Sequence, residues 1–440
     1  MRTILNIDGS SDAIQCKRSS AIVRSVGATW TQLTANEPYT LTMPPAPMLE
    51  PVIDTEHAYA PVKSIAPYSQ AMYCRDRSGG KIYRTTDLIN YEEVIDYRND
   101  PAMAAFEQAT NVSVGGPHFI LELTEDVMLA AGGSTTLDPE GGPTGAIFRS
   151  TDGGATWSKV RETTKGAFLR FHALGNHITA NEYHSNKDDG SGARVHVSDD
   201  GGMTWHVAVD PPDLTPPLTG NYHCHTALWL DACTLYVEWG DGLASAQAVY
   251  KRSSDTATDW AMAEDDQGRP LFRQSACQFA YSYLVNDTLA YGVRETGPWE
   301  ADLFRINPRT LEITPLVRMD ISASDAAYEP IVVDGLVLFA VHKMGDDTEA
   351  GGLYLADPSG YNAVTRLIAR TKGFKHILGL RGRRLYCVVQ EDATERLAYV
   401  DLPASLVTAT AVVAEAAHTN LFKPATTDGK NTSLLYNTAG

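Results

Sequence analysis

Three short stretches bring together side chains able to move protons. They are "NEYH" (Asn181 to His184), "YHCH" (Tyr222 to His225) and "EWGD" (Glu238 to Asp241). β-Elimination on a uronic acid needs a group that neutralises the carboxylate, a base for the proton beside it and an acid for the leaving oxygen. Arg or His, His or Tyr, and Tyr suit these roles in turn. On that reading His184 or His223 is the base, Tyr183 or Tyr222 the acid, and Arg294 with His225 the neutralising pair. A glycoside hydrolase would instead need two carboxylates, drawn from Glu182, Glu238, Asp241 and Glu295. His223 and His225 alternate along an apolar run, so both point one way. They suit a ligand-facing pair, two zinc ligands awaiting a third, or hydrogen-bonded histidines that plug a channel. Nothing in the sequence supplies the third ligand, and neither metal nor cofactor is expected.

These residues need a scaffold that brings separate strand ends to one place, and the chain repeats such a scaffold. Each repeat has an apolar strand, a turn, a second strand, a variable loop, a third strand, an Asp-containing turn and a fourth strand. "HFILELTEDVMLAAGG" with "AIFRSTDGGATWSKV", and "FLRFHALGNHITANEY" with "RVHVSDDGGMTWHVAV", are the clearest copies. Weaker copies begin at "VKSIAPYSQ" before them and at "HCHTALWLD", "CQFAYSYLV", "YEPIVVDG" and "KHILGLRG" after them, which makes seven continuous units. The period of about fifty residues is that of β-propeller blades. "AIVRSVGATWTQL" near the N-terminus looks like the last half of a unit, and "NLFKPATTDGKNTSLLYN" near the C-terminus like the first half. The expectation is one all-β domain over residues 1–440, an eight-bladed propeller closed by a blade shared between the termini. Seven blades with a terminal hairpin is the alternative.

"STDGGATW" (Ser150 to Trp157) and "SDDGGMTW" (Ser198 to Trp205) resemble the Asp-box of the bacterial neuraminidase repeat, the signature of sialidase-like propellers. "SSDTATDW" (Ser253 to Trp260) lacks its Gly and Thr, and "TTDLINY" (Thr85 to Tyr91) is one residue short. The resemblance implies a structural turn between the two outer strands, on the side away from any substrate, so Asp152 and Asp200 are not catalytic candidates. The opposite face collects the ends of the second strands: Arg75 and Asp76, Glu182 to His184, Glu238 and Asp241, Arg294 and Glu295, His342 and Lys343, Gln390 and Glu391. True sialidase activity is not expected. "FRINP" (Phe304 to Pro308) lies on a third strand late in the chain, away from the place of the Phe/Tyr-Arg-Ile-Pro motif in those enzymes. Propeller polysaccharide lyases resemble the chain in architecture and in their use of His, Tyr and Arg. The middle third is also similar to secreted Asp-box proteins in which Glu-Tyr is followed one blade later by His-x-His and Gly-Asp. Together these imply a protein that recognises poly- or oligosaccharides and cleaves an acidic one. The alternative is a non-catalytic phage tail, virion or adhesin protein with other virion proteins as partners.

Composition sets outer limits. The 440-residue chain is 43% hydrophobic and 20% charged, enough to bury a sizeable core. Its net charge of −18 argues against nucleic acid or an anionic membrane as general partner. The six cysteines show no CxxC spacing and read as free thiols. No signal-peptide pattern or membrane-length apolar run is present, and an extracellular or virion-exposed location is the expectation. Trp229, Trp239 and Trp299 suit either sugar stacking or the core.

Overall fold

The computed structural model describes residues 49–404 and, nearer the N-terminus, the backbone of the strands Arg2–Ile4, Ile14–Cys16, Ala21–Val26 and Thr29–Thr34. Within 49–404 it leaves out 58, 77–79, 111–118, 135–140, 184–192, 211–222, 241–245, 275–278, 295–302, 318–324, 344–351, 357, 359–363, 367–373 and 392–393.

All seven continuous repeats fold as antiparallel units. The first is Tyr59–Ile65, Met72–Asp76, Lys81–Thr85 and Glu92–Asp96. The second is Phe119–Glu122, Met128–Gly133, Gly145–Ser150 and Ser158–Thr163. The third is Ala167–Leu174, His177–Tyr183, Val195–Ser198 and His206–Val209. In the fourth, His223–Asp231, Thr234–Gly240 and Ala246–Lys251 share an outer edge made of Ala261–Met262 and Phe272–Gln274 end to end. The fifth runs Phe279–Asn286, Leu289–Arg294, Leu303–Asn307 and Glu312–Val317, and the sixth Asp325–Val333, Leu336–Lys343, Gly352–Ala356 and Val364–Arg366. Consecutive units pack against each other and the seventh returns to the first, a propeller-like ring. The first two units also fuse into one eight-stranded sheet, because their inner strands pair in parallel, Phe119 to Leu121 beside Lys63 to Ile65.

Ring closure differs from the expected shared blade. The seventh unit, Phe374–Arg381, Arg384–Glu391 and Thr394–Asp401, takes its outer strand from Val52–Ile53, which pairs with Ala398 and Tyr399. That pairing occupies the free edge and ties the chain just ahead of the first unit to the last. An eighth blade does not occur among the described residues. Ala21–Val26 and Thr29–Thr34 pair with each other as a separate two-stranded sheet, and residues 405–440 lie outside the description.

The core lies in the seams between units. Trp229 and Trp239 are buried among Val195, Val197 and Leu235, so both are core side chains, and Trp239 Nε1 donates to the Ala193 carbonyl at 3.0 Å. Trp299 lies outside the described residues. One helix, Pro101–Thr110, was not expected. Asp100 caps it, its Oδ1 accepting the Ala102 and Met103 N–H groups at 3.0 Å, with Pro101 at the first helical position. Only Met103 and Phe106 are buried, so the apolar stripe is too narrow to show as a period. No described helix is long and apolar enough to cross a membrane.

Candidate functional site

Antiparallel register puts the ends of the second strands, Asp76, Tyr183, Gly240, Arg294, Lys343 and Glu391, on one face of the ring. The Asp-containing turns fall at the opposite end of the strands, beside the hairpins joining the two inner strands. There Gly153 N–H donates to the Asp126 carbonyl at 2.9 Å and Gly201 N–H to that of Asn176 at 3.1 Å.

Within each turn the aspartate collects its own loop. Asp152 Oδ1 accepts Thr156 N–H at 2.9 Å and Oδ2 the Thr156 hydroxyl at 2.6 Å, which together with Ser150 hold its carboxyl at about 2. Asp200 does the same with Thr204. Gly154 and Gly202 take φ of 98° and 83°, and each donates its N–H to the hydroxyl oxygen of Ser150 or Ser198. The degenerate turn at Ser253 is wired differently. Buried Arg252 reaches its carbonyls, makes a two-pronged pair with Asp199 at 2.7 and 2.8 Å and lies over the rings of Trp229 and Trp260.

On the other face the structure brings His223, His225 and Tyr183 together. His225 is the extra residue of a bulge between the pairs Cys224–Trp239 and Thr226–Glu238. Its ring lies 4.7 Å from that of His223 between centroids, and the Tyr183 and His223 centroids are 3.9 Å apart. Gly240 makes the room, since a Cβ there would fall 2.3 to 2.7 Å from three atoms of the His225 ring. The proton order in the neutral pair follows from the partners. His225 Nδ1 lies 2.8 Å from the carbonyl of Phe279, which only accepts, so that nitrogen carries the hydrogen. Its Nε2 then accepts, at 2.8 Å, the hydrogen on His223 Nε2, which makes Nδ1 the basic nitrogen of His223.

His225 is engaged on both nitrogens, by His223 and by the Phe279 carbonyl. Arg294 enters the same neighbourhood by register, because its backbone pairs with Phe279. His184, Tyr222, Asp241 and Glu295 lie outside the described residues.

The two remaining carboxylates are buried and cross seams. Glu182 Oε1 accepts from the Thr163 hydroxyl of the second unit at 2.5 Å and from His196 Nε2 at 2.7 Å. Arg161 Nε donates to the other nitrogen of His196 at 3.0 Å, so this histidine is neutral, and burial pushes its pKa down. Burial pushes Glu182 up, but the bonds from His196 and Thr163 outweigh it and hold the carboxyl below its usual range. Glu238 Oε1 accepts from Tyr236 OH at 2.5 Å and from the Ser282 hydroxyl of the fifth unit at 2.7 Å. Burial dominates there and raises its pKa. Each carboxylate keeps one buried oxygen, Oε2, with no partner among the described residues. Both charges act on the Cys224 thiol, which burial already pushes up.

Reading only the ends of second strands missed His196 and Arg161. Alternation in "RVHVS" puts His196 on the face opposite Val195 and Val197, and both faces of this strand are buried. Among the described residues no group of three His, Cys, Asp or Glu side chains forms a metal site.

No protein-family model and no curated protein sequence matches the chain. Solved structures are similar to it over most of its length. Virginiamycin B lyase from Staphylococcus aureus superposes with a TM-score of 0.50 at 11% identity, covering 81% of this chain and 99% of that one. A polysaccharide lyase, PL25-ulvanlyase bound to GlcA(1-4)Rha3S, gives 0.48 at 10% identity over 85% and 100% of the two chains. YCF48 bound to D1 peptide gives 0.48 at 13% identity over 82% and 99%. Ring and similarity together define the class, an all-β protein of the β-propeller type.

Proposed function

We propose that the chain is a seven-bladed Asp-box propeller that binds an acidic oligosaccharide on the second-strand face and cleaves it by β-elimination. The observation that carries the reading is the relay from the Phe279 carbonyl through His225 to His223, which ends in a buried basic nitrogen beside the part-exposed Tyr183. His223 Nδ1 takes the proton at C5 of a uronate, the C4–C5 double bond forms as the C4–oxygen bond breaks, and the Tyr183 hydroxyl protonates the departing oxygen. Arg294 is the candidate to face the carboxylate, from its place opposite Phe279. His184, Glu182, Glu238 and Asp241 border this centre in sequence. Of these, Glu182 and Glu238 join neighbouring units, which favours elimination over hydrolysis by a carboxylate pair.

Burial favours a second reading. His223 and His225 are 1% and 6% exposed, as expected of a pair that plugs the axis of a glycan-binding adhesin or virion protein without catalysis. Incubation with acidic and neutral polysaccharides separates the two, read by the ultraviolet absorbance of unsaturated uronate ends and by reducing ends. The elimination reading expects unsaturated ends, lost by about 10²–10⁴-fold in kcat on His223→Ala or Tyr183→Phe. Reducing ends alone would replace it with hydrolysis, and binding without new ends would leave the adhesin reading, to be tested by copurification with virions.

A further inference from the structure

We infer a second ligand site, for an uncharged oligosaccharide, on the face of the ring opposite the histidines. A groove of about 730 Å³ opens there between the first two units, and the shortened turn of the first unit accounts for it. In the second and third units the Asp-containing turn docks on the inner hairpin of its own unit, through the Gly153 and Gly201 N–H groups. The turn from Thr85 to Tyr91 has one residue fewer. It keeps the aspartate skeleton, with Asp87 Oδ1 accepting the Ile89 and Asn90 N–H groups at 2.9 and 2.8 Å and Oδ2 accepting Asn90 Nδ2 at 2.8 Å. Leu88 stands where a glycine would stand, at φ 60°, and spends its N–H on the Thr85 hydroxyl at 3.0 Å. Its side chain packs toward the seventh unit with Leu378 and Tyr386. Among the described residues no backbone bond joins this turn to the hairpin at Pro67 to Gln70, and the space between them is the groove.

The walls do not fall into that space. Glu122 of the second unit clamps the hairpin, its Oε2 accepting the Tyr68 and Ser69 N–H groups at 3.1 and 2.9 Å and its Oε1 the Ser69 and Tyr73 hydroxyls at 2.5 and 2.6 Å. On the other side Arg84 and Glu92 lie flat against each other, Nε to Oε2 at 2.8 Å and Nη2 to Oε1 at 2.9 Å. Tyr68 and Ile89 line the same groove while 51% and 75% exposed. A tyrosine face suits the C–H face of a sugar, and the Arg84–Glu92 pair with the exposed Thr86 supplies donors and acceptors for hydroxyls. Glu92, Glu122 and Glu125 outnumber Arg84, so a uronate or sulfate would be repelled. The volume lies within the ~300–1,000 Å³ usual for small-molecule sites. Nothing in this inference depends on the histidine centre.

The test is calorimetric titration of the whole chain with maltotriose, cellotriose and mannotriose, and with trigalacturonate as the acidic counterpart. At least one neutral trisaccharide is expected to bind, with a Kd raised tenfold or more by Tyr68→Ala and by Thr86→Trp, which fills the groove from an exposed position. His223→Ala should leave that Kd unchanged, which separates failure here from failure of the elimination reading. The inference is overturned if no neutral trisaccharide binds, if both groove variants bind as the parent does, or if trigalacturonate binds as tightly and is lost with Tyr68→Ala.

Discussion

His225 donates from one nitrogen and accepts at the other, so on the elimination reading a replacement must do both to keep His223 in the tautomer that takes the C5 proton. His225→Gln has an amide able to imitate only part of that geometry. It is expected to lower kcat by about tenfold or more and to shift the acid limb of the pH–rate profile, with KM nearly unchanged. A role limited to packing would leave the pH limb in place. Gly240 is the matching constraint on the neighbouring strand. Gly240→Ala should cost about 1–3 kcal/mol in thermal or urea unfolding, because the new methyl group overlaps the His225 ring. In a His225→Ala background the same substitution should cost much less. A cost that stays the same in both backgrounds would mean that the ring is not what Gly240 accommodates.

Among elements, the repeated turn and the bulged inner strand divide the labour. The turn carries out its hydrogen bonding locally and away from the histidines. Asp200→Ala is expected to lower stability by about 1–2 kcal/mol while leaving activity and glycan binding unchanged. Loss of activity in a fully folded variant would move function to that face. The bulge acts on the other face. Register shifts occur at Phe168/Arg170, Cys224/Thr226, Phe279/Ser282, Tyr328/Ile331 and Phe374/His376, within five successive inner strands. Only in the fourth unit does this position hold a histidine two residues from another. The strands themselves were readable from alternating apolar runs, whereas the bulges were not, since an extra residue leaves no mark in composition. Val52–Ile53 escaped notice for a similar reason, because two residues are too few to show a period.

For the whole molecule, the buried histidines set the response to acid. Burial lowers His196 and His206, and lowers His172, part of whose surface still meets solvent, to about 4. Each folded-state pKa lies below the unfolded value near 6.5, so the unfolded chain takes up protons that the folded chain refuses. Their contribution is fully present above about pH 6.5 and declines as pH falls toward the folded pKa, by up to about 1.4 kcal/mol per pH unit for each group. Glu182, lowered, adds stability that is lost as pH falls further. Glu238, raised, acts in the opposite sense, stabilising below the ordinary carboxylate range and losing that contribution as pH rises. Urea unfolding at pH 7, 6 and 5 should show a steady loss, and His196→Gln should flatten it. An unchanged slope would show that His196 is not held neutral.

The order of the seven continuous repeats and the placing of the Asp-containing turns away from the second-strand ends were determined by sequence alone, whereas the eighth blade expected from the chain ends does not occur among the described residues. Each rests on short-range regularity: period-two alternation along a strand, and a turn that closes on its own aspartate. Tertiary structure alone decided that Val52–Ile53 closes the ring, that Glu182 and Glu238 cross seams to Thr163 and Ser282, and that Phe279 sets the tautomer of His225. These contacts join residues remote in the chain through seams whose register depends on how neighbouring units pack. No local pattern records which carbonyl will face which ring.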